Sequence, residues 1–199
     1  MFVLGLTGSV AMGKSTTASL FAEEGVPVHD ADSVVHRLYE GDAVPIIEAA
    51  FPGTTADGKV DRVKLGSRVM GDLAALRQLE AIVHPMVQDA EARFLAEAEA
   101  KGATVAVLDI PLLFETGGNR RVDAVVVATA PAEVQRARVL ERPGMTIQRL
   151  DAMLARQMPD SEKRLRADFI VDTSHGFDDA RTQVREILRK VATMPKRHH

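Results

Sequence analysis

Gly8-Ser9-Val10-Ala11-Met12-Gly13-Lys14-Ser15 is the stretch whose reading decides the fold. The apolar run Phe2-Val3-Leu4-Gly5-Leu6 precedes it, and a helix-like segment, Ser15 to Glu24, follows. Strand, glycine loop and helix, with the spacing G-x-x-x-x-G-K-S, let successive backbone N–H groups wrap around a phosphate. The positive end of the following helix assists them. Gly8 and Gly13 admit backbone angles and close approaches that a Cβ would block. Lys14 can reach the β- and γ-phosphates as a point charge, and the Ser15 hydroxyl can ligand Mg²⁺. The expected ligand is a nucleoside triphosphate, held by Gly8, Ser9, Val10, Ala11, Met12, Gly13, Lys14, Ser15 and Thr16.

Five apolar, β-branched-rich runs mark strands: Phe2 to Leu6, Val26 to His29, Thr104 to Asp109, Ala124 to Thr129 and Asp168 to Asp172. Helical patterns separate them, which predicts an α/β fold with a parallel sheet covered on both faces. Leu76, Leu79 and Val83 keep helical spacing, as do Val87, Ala90 and Phe94, and Val184, Ile187, Leu188 and Val191. Pro85 suits the first turn of a helix beginning after His84, and Gly102 suits its end. About seventy residues separate His29 from Thr104, and about forty separate Thr129 from Asp168. A crossover needs roughly a dozen, so the surplus is expected to form helical insertions leaving the carboxyl ends of the strands, where ligands bind.

At 199 residues and 46% hydrophobic, the chain can bury a large core as one domain, 1–199. No apolar run approaches 18 residues, which argues against a membrane span, and no leader segment is expected ahead of the first strand. Zero cysteines exclude a disulfide framework and a thiolate metal site. A net charge of −3 gives no global reason to expect nucleic acid. The expected location is cytoplasmic, and the oligomeric state is not legible. The basic tail Lys196-Arg197-His198-His199 is set aside as native or tag-derived.

Three constellations bear on chemistry. Asp30-Ala31-Asp32 follows the second strand. A carboxylate there can accept a hydroxyl proton or orient the attacking oxygen; the bland alternative is that one caps a helix and the other is a turn residue, and Asp32 is the preferred functional member. Asp109 ends Val105-Ala106-Val107-Leu108 in the form of a Walker B strand, whose acid holds Mg²⁺; a turn cap is its bland alternative. Pro111-Leu112-Leu113-Phe114-Glu115 then offers either core or a substrate wall, with Leu112 and Glu115 as candidate contacts beside Thr7. From Arg136 to Arg166 the local balance is +4 against −7 elsewhere. Arg138 and Arg142 are four apart and expected on one helix face, swinging in on closure to meet charge on a transferring phosphate. Arg149, Arg156 and Arg164 are expected to be solvated. His84 is either a buried, hydrogen-bonded corner or a substrate contact. No acidic or histidine cluster has metal-ligand spacing, so the expected Mg²⁺ travels with the nucleotide.

Taken together, these residues resemble the dephospho-coenzyme A kinases. Leu4-Gly5-Leu6-Thr7-Gly8 through Gly13-Lys14-Ser15, Asp30-Ala31-Asp32, Ile82-Val83-His84-Pro85, Asp109 to Glu115, and Gln157-Met158 through Ala167-Asp168 are similar to that family's motifs, in its order. The resemblance implies transfer of the ATP γ-phosphate to the ribose 3′-hydroxyl of dephospho-coenzyme A, the last step of coenzyme A synthesis. It implies a P-loop core, a helical substrate-binding insertion at about 32–100 and a lid at about 136–166. Asp32 would be the base or orienting residue, Lys14 and Ser15 would serve the phosphates and Mg²⁺, and Arg138, with Arg142, would be a lid arginine. Ser9 and Ala11 stand where the family often has glycine, and Thr173 where it usually has asparagine. An unliganded molecule would hold the lid open, with Arg138 far from Lys14. Two rival readings are a kinase acting on a nucleoside monophosphate or other small alcohol, and a P-loop regulatory switch.

Overall fold

A computed structural model describes residues 1–197; the terminal pair His198-His199 lies outside the described residues. The elements run β1 (Phe2–Thr7), α1 (Lys14–Glu23), β2 (Val28–Asp30), α2 (Ala31–Leu38), α3 (Val44–Ala50), β3 (Thr55–Ala56), β4 (Lys59–Val60), α4 (Arg62–Val69) and α5 (Leu73–Ala100). After a short turn come β5 (Val105–Asp109), a 3-10 turn (Gly118–Arg121), β6 (Ala124–Thr129), α6 (Ala132–Leu140), α7 (Ile147–Leu154), α8 (Asp160–Arg166), β7 (Phe169–Asp172) and α9 (Phe177–Val191). The five strand runs read from the sequence are the five strands of one sheet, in the order β2-β5-β1-β6-β7. The pairings of β1 with β5, β1 with β6 and β6 with β7 are parallel. β1 is therefore central, and the loop that leaves it opens at the carboxyl edge of the sheet, where α/β folds bind ligands.

The strands read as continuous apolar runs because both faces are covered. On one face Leu4, Leu6, Val107, Val126 and Val171 pack with Leu20 and Phe21 of α1 and Val184, Ile187 and Val191 of α9. Asp123 and Asp168, just before β6 and β7, accept the N–H groups of Val3 and Val125 at 2.7 and 2.8 Å. Arg197 bonds Asp123 through its N–H and Asp168 through its guanidinium, so this part of the basic tail belongs to the fold.

Two compact units emerge: residues 1–29 with 97 onward, which hold most of the sheet, and Asp30–Ala96. The second has its own core of Val34, Leu38, Ile47, Phe51, Leu65 and Val83. It also has a feature absent from the strand reading, the hairpin β3–β4, whose turn residues Asp57 and Gly58 have φ of 52° and 74°. Asp-Gly is the dipeptide that a type I′ hairpin favours, so the signal was there in very short strands.

Pro85 corrects the expected helix start. α5 is one helix of 28 residues with Pro85 inside it. A mid-helix proline removes one backbone bond and strains the turn before it. Leu79, Ile82, Val83, Met86, Val87 and Ala90 nonetheless form one apolar stripe against the second unit's core on both sides of the proline. Continuous burial overrides the local break. Gly102, at φ 79°, does lie just past the helix end.

Candidate active site

The phosphate loop is built as its sequence demands. A Cβ on Gly8 would come within 2.7 Å of the Ala128 carbonyl oxygen, so the close approach of loop to β6 requires glycine there. Gly13 has φ 85°, and a Cβ on it would meet the Thr173 side chain at 2.6 Å. Ala11 also sits in the left-handed region, at φ 59°, where a side chain is strained. Its methyl is buried with Val139 of α6 and Leu150 of α7, which gives a packing reason for alanine where glycine is easier. Among the described residues, no protein acceptor takes the backbone N–H groups of Ala11, Gly13, Lys14, Ser15 or Thr16. The N–H of Met12 is spent on the Ser9 carbonyl at 3.2 Å. Free N–H groups at a helix start make an anion site.

Lys14 Nζ lies 2.6 Å from Asp109 Oδ1, with the two side chains 16% and 5% exposed. The carboxylate at the end of β5 and the loop lysine thus face each other. Ser15 is exposed in the first turn of α1, and Thr16 is half-buried. Among the described residues the Ser9 hydroxyl is buried with no hydrogen-bond partner, and Met12 is buried too, its sulfur accepting the Ala130 N–H. These two expected nucleotide contacts have side chains turned inward, leaving the Ser9 backbone as the part available.

The expectation of an open lid is corrected. Arg138, on α6, donates from Nη1 to Thr173 Oγ1 at 2.8 Å and from Nη2 to the Thr173 carbonyl at 2.6 Å. Its Nη1 also lies 3.5 Å from the Ala11 carbonyl. Gln135 donates to the Val10 carbonyl at 2.8 Å, and Val10 joins the Ala11–Val139–Leu150 cluster. Apolar loop side chains give α6 and α7 something to bury, so both helices pack on the loop. Arg142 does not share a helix face with Arg138. α6 ends at Leu140 with Glu141 as its cap, because a residue preceding Pro143 disfavours helical angles. Arg142 is exposed, and the i, i+4 pairing inferred from spacing is lost.

Of the two carboxylates, Asp30 is the helix cap of α2, accepting the N–H groups of Asp32 and Ser33 at 2.9 and 3.1 Å and the Ser33 hydroxyl at 2.6 Å. Asp32 is exposed in the first turn of α2. Thr7, expected beside the substrate, is fully buried and donates to the Pro111 carbonyl at 3.0 Å; it braces the loop after Asp109 instead. In that loop Leu112 is 39% exposed while Leu113 and Phe114 are buried, which splits wall from core. His84 is exposed on α5, not a buried corner.

Glu115 has an internal partner that spacing could not reveal. Its Oε1 accepts the Met158 N–H at 2.8 Å and lies 3.1 Å from the Nζ of Lys163, a lysine 0% exposed. Burial pushes the Glu115 carboxyl up, but the Met158 N–H and Lys163 hold it below its ordinary value. Asp160, on the same helix α8, accepts the Thr129 hydroxyl at 2.8 Å. Lys163 looks in the sequence like one more member of a charge run; Arg149, Arg156 and Arg164 are exposed, as expected.

The dephospho-CoA kinase family model matches residues 2–179. A dephospho-CoA kinase of Rhodopseudomonas palustris (strain HaA2) is 66% identical over 197 residues, 99% of each chain. The chain belongs to the dephospho-CoA kinase family. Among solved structures, a Thermus thermophilus protein superposes with TM-score 0.85 at 33% identity, covering 96% of this chain and 97% of its own. The dephospho-CoA kinase from Campylobacter jejuni gives TM-score 0.63 at 23% identity, with 95% and 96% covered, a likeness of fold. In this dephospho-CoA kinase family chain, Arg138 lies against the Gly8 to Ser15 loop, and Lys14 lies against Asp109. Among the described residues no helix is long and apolar enough to cross a membrane.

Proposed function

We propose that the chain transfers the γ-phosphate of ATP to the ribose 3′-hydroxyl of dephospho-coenzyme A, a small-molecule substrate, in the cytoplasm. The observation that carries this reading is full-length membership of the kinase family joined to a cradle with free N–H groups, Lys14 and a docked arginine. The loop N–H groups and the α1 N-terminus bind the triphosphate, and Lys14 leaves Asp109 to meet its terminal oxygens. Arg138 donates to charge that spreads over the transferring oxygens, while Arg142 serves the nucleotide from the segment beyond α6. Asp32 accepts or orients the acceptor hydroxyl, a role open to it because Asp30 has taken the cap. Leu112 and His84 offer exposed surface to the acceptor, and Glu115 and Thr7 act through the loops they brace.

The hydroxyl of Ser15 and the carboxylate of Asp109 are hard oxygen donors of the number that Mg²⁺ takes from a protein when phosphates supply the rest. Among the described residues no cluster of three acidic or histidine side chains could hold the ion alone. When bound, Mg²⁺ supplies charge neutralisation at the β- and γ-phosphates.

The test is ATP consumption with dephospho-coenzyme A beside a panel of nucleoside monophosphates and small alcohols. Turnover with dephospho-coenzyme A is expected, and its absence overturns the reading. Asp32→Asn is expected to cut turnover by orders of magnitude while ATP affinity barely moves; an unaffected rate would remove Asp32 from the mechanism.

A further inference from the structure

Thr173 is the first residue after β7, and it is 6% exposed. Its N–H continues the ladder to the Thr129 carbonyl at 2.9 Å. Its hydroxyl oxygen lies 3.0 Å from the Met12 carbonyl, 3.3 Å from the Thr129 carbonyl and 2.8 Å from Arg138 Nη1. A hydroxyl has one proton to give, and a guanidinium only donates. The hydroxyl therefore accepts from Arg138 and gives its proton to the loop, to Met12 by the shorter distance. The Thr173 carbonyl takes the second bond, from Nη2 at 2.6 Å. The side chain also fills the space beside Gly13. One residue thus grips the phosphate loop and the arginine together.

The way the arginine is gripped leaves it able to act. Of its five N–H donors, Thr173 takes one from each Nη. Among the described residues, the Nε hydrogen and the second Nη2 hydrogen have no protein acceptor, and the Ala11 carbonyl stands at a long 3.5 Å from Nη1. A long flexible side chain is thereby tied by two hydrogen bonds beside the loop, which restricts its rotamers.

We propose that Thr173 is a positioning residue for phosphoryl transfer, its hydroxyl fixing the Arg138 guanidinium against the phosphate loop so that the arginine is preset. This rests on the reading that Arg138 serves the transferring phosphate. It predicts a pairwise coupling that a purely structural threonine would lack.

The experiment is a double-mutant cycle measured by steady-state kinetics. Thr173→Val keeps the shape and removes the hydroxyl, and it is expected to lower kcat about tenfold to a hundredfold, the range for a bond to a charged group. The KM for ATP should move much less. In an Arg138→Ala background the same change should cost threefold or less, and Thr173→Ser, which retains the hydroxyl, should stay near the parent. Should valine fail to fold at this close-packed position, Thr173→Ala repeats the measurement. Equal losses in both backgrounds, no loss in Thr173→Val, or a Thr173→Ser enzyme as slow as the valine variant would each overturn the proposal. So would an Arg138→Ala enzyme with unchanged kcat. The cycle can be run on any acceptor the parent protein uses, water included. Failure of dephospho-coenzyme A as substrate is thereby read separately from failure of the coupling.

Discussion

Lys14 and Asp109 stand 2.6 Å apart, and in the proposed mechanism Lys14 trades this contact for a phosphate. Asp109 also places a negative charge where the triphosphate brings several more. Asp109→Asn removes both obstacles, so its affinity for ATP without Mg²⁺ is expected to rise several-fold, since one unit charge removed at this range is worth about 1 kcal/mol or more. The gain from adding Mg²⁺ should shrink at the same time, and turnover should fall. Calorimetric titration with and without the ion checks this; weaker metal-free binding would show that Asp109 holds Lys14 in its working position. At this scale the glycines, Lys14 and Ser15 were legible because the motif is contiguous and each residue type has one physical reason to be there. Thr7 was not, since a threonine at a strand end looks the same whether its hydroxyl faces a ligand or the Pro111 carbonyl.

Among the elements, α8 is tied to the β5 loop by Lys163 and Glu115, and the partners are unequal. Lys163 is 0% exposed while the Glu115 side chain is 19% exposed. Removing the acid strands a buried cation, whereas removing the cation leaves an acid with some solvent and the Met158 N–H. Glu115→Gln is therefore expected to destabilise by about 2 kcal/mol at pH 7, after discounting for that exposure, and Lys163→Met by about 1 kcal/mol or less. The Glu115 carboxyl is held below its ordinary 4.5. The stability it confers is complete above that value and is lost as the pH falls through the lowered one. Denaturant curves of wild type and Glu115→Gln should thus converge in acid; a gap unchanged at low pH would refute the pair's role. α5 carries a second expectation. Pro85→Ala restores a backbone bond in a helix already held by its apolar stripe, and it should raise stability by about 1 kcal/mol or more in thermal unfolding.

For the molecule as a whole, a ligand that binds only the folded state stabilises it by about 2.7 kcal/mol at a hundred times its Kd. At the size of this chain that corresponds to a rise in Tm of roughly 5–10 °C. ATP should produce it, and Lys14→Met should abolish most of it; a shift retained in that variant would place the nucleotide elsewhere. The sequence by itself determined the parallel sheet, its five strands and the glycine loop between β1 and α1. Those features depend on short-range periodicity and on residue types at fixed offsets. The tertiary structure alone decided that α6 and α7 pack on the loop, that Pro85 lies within a helix, that Lys163 is buried, and that Thr173 joins Arg138 to Met12. Arg138 and Thr173 are 35 residues apart, and Thr173 and Met12 are 161 apart. Such contacts follow from strand order and from which face finds cover, and a charge or hydroxyl in isolation carries no trace of either.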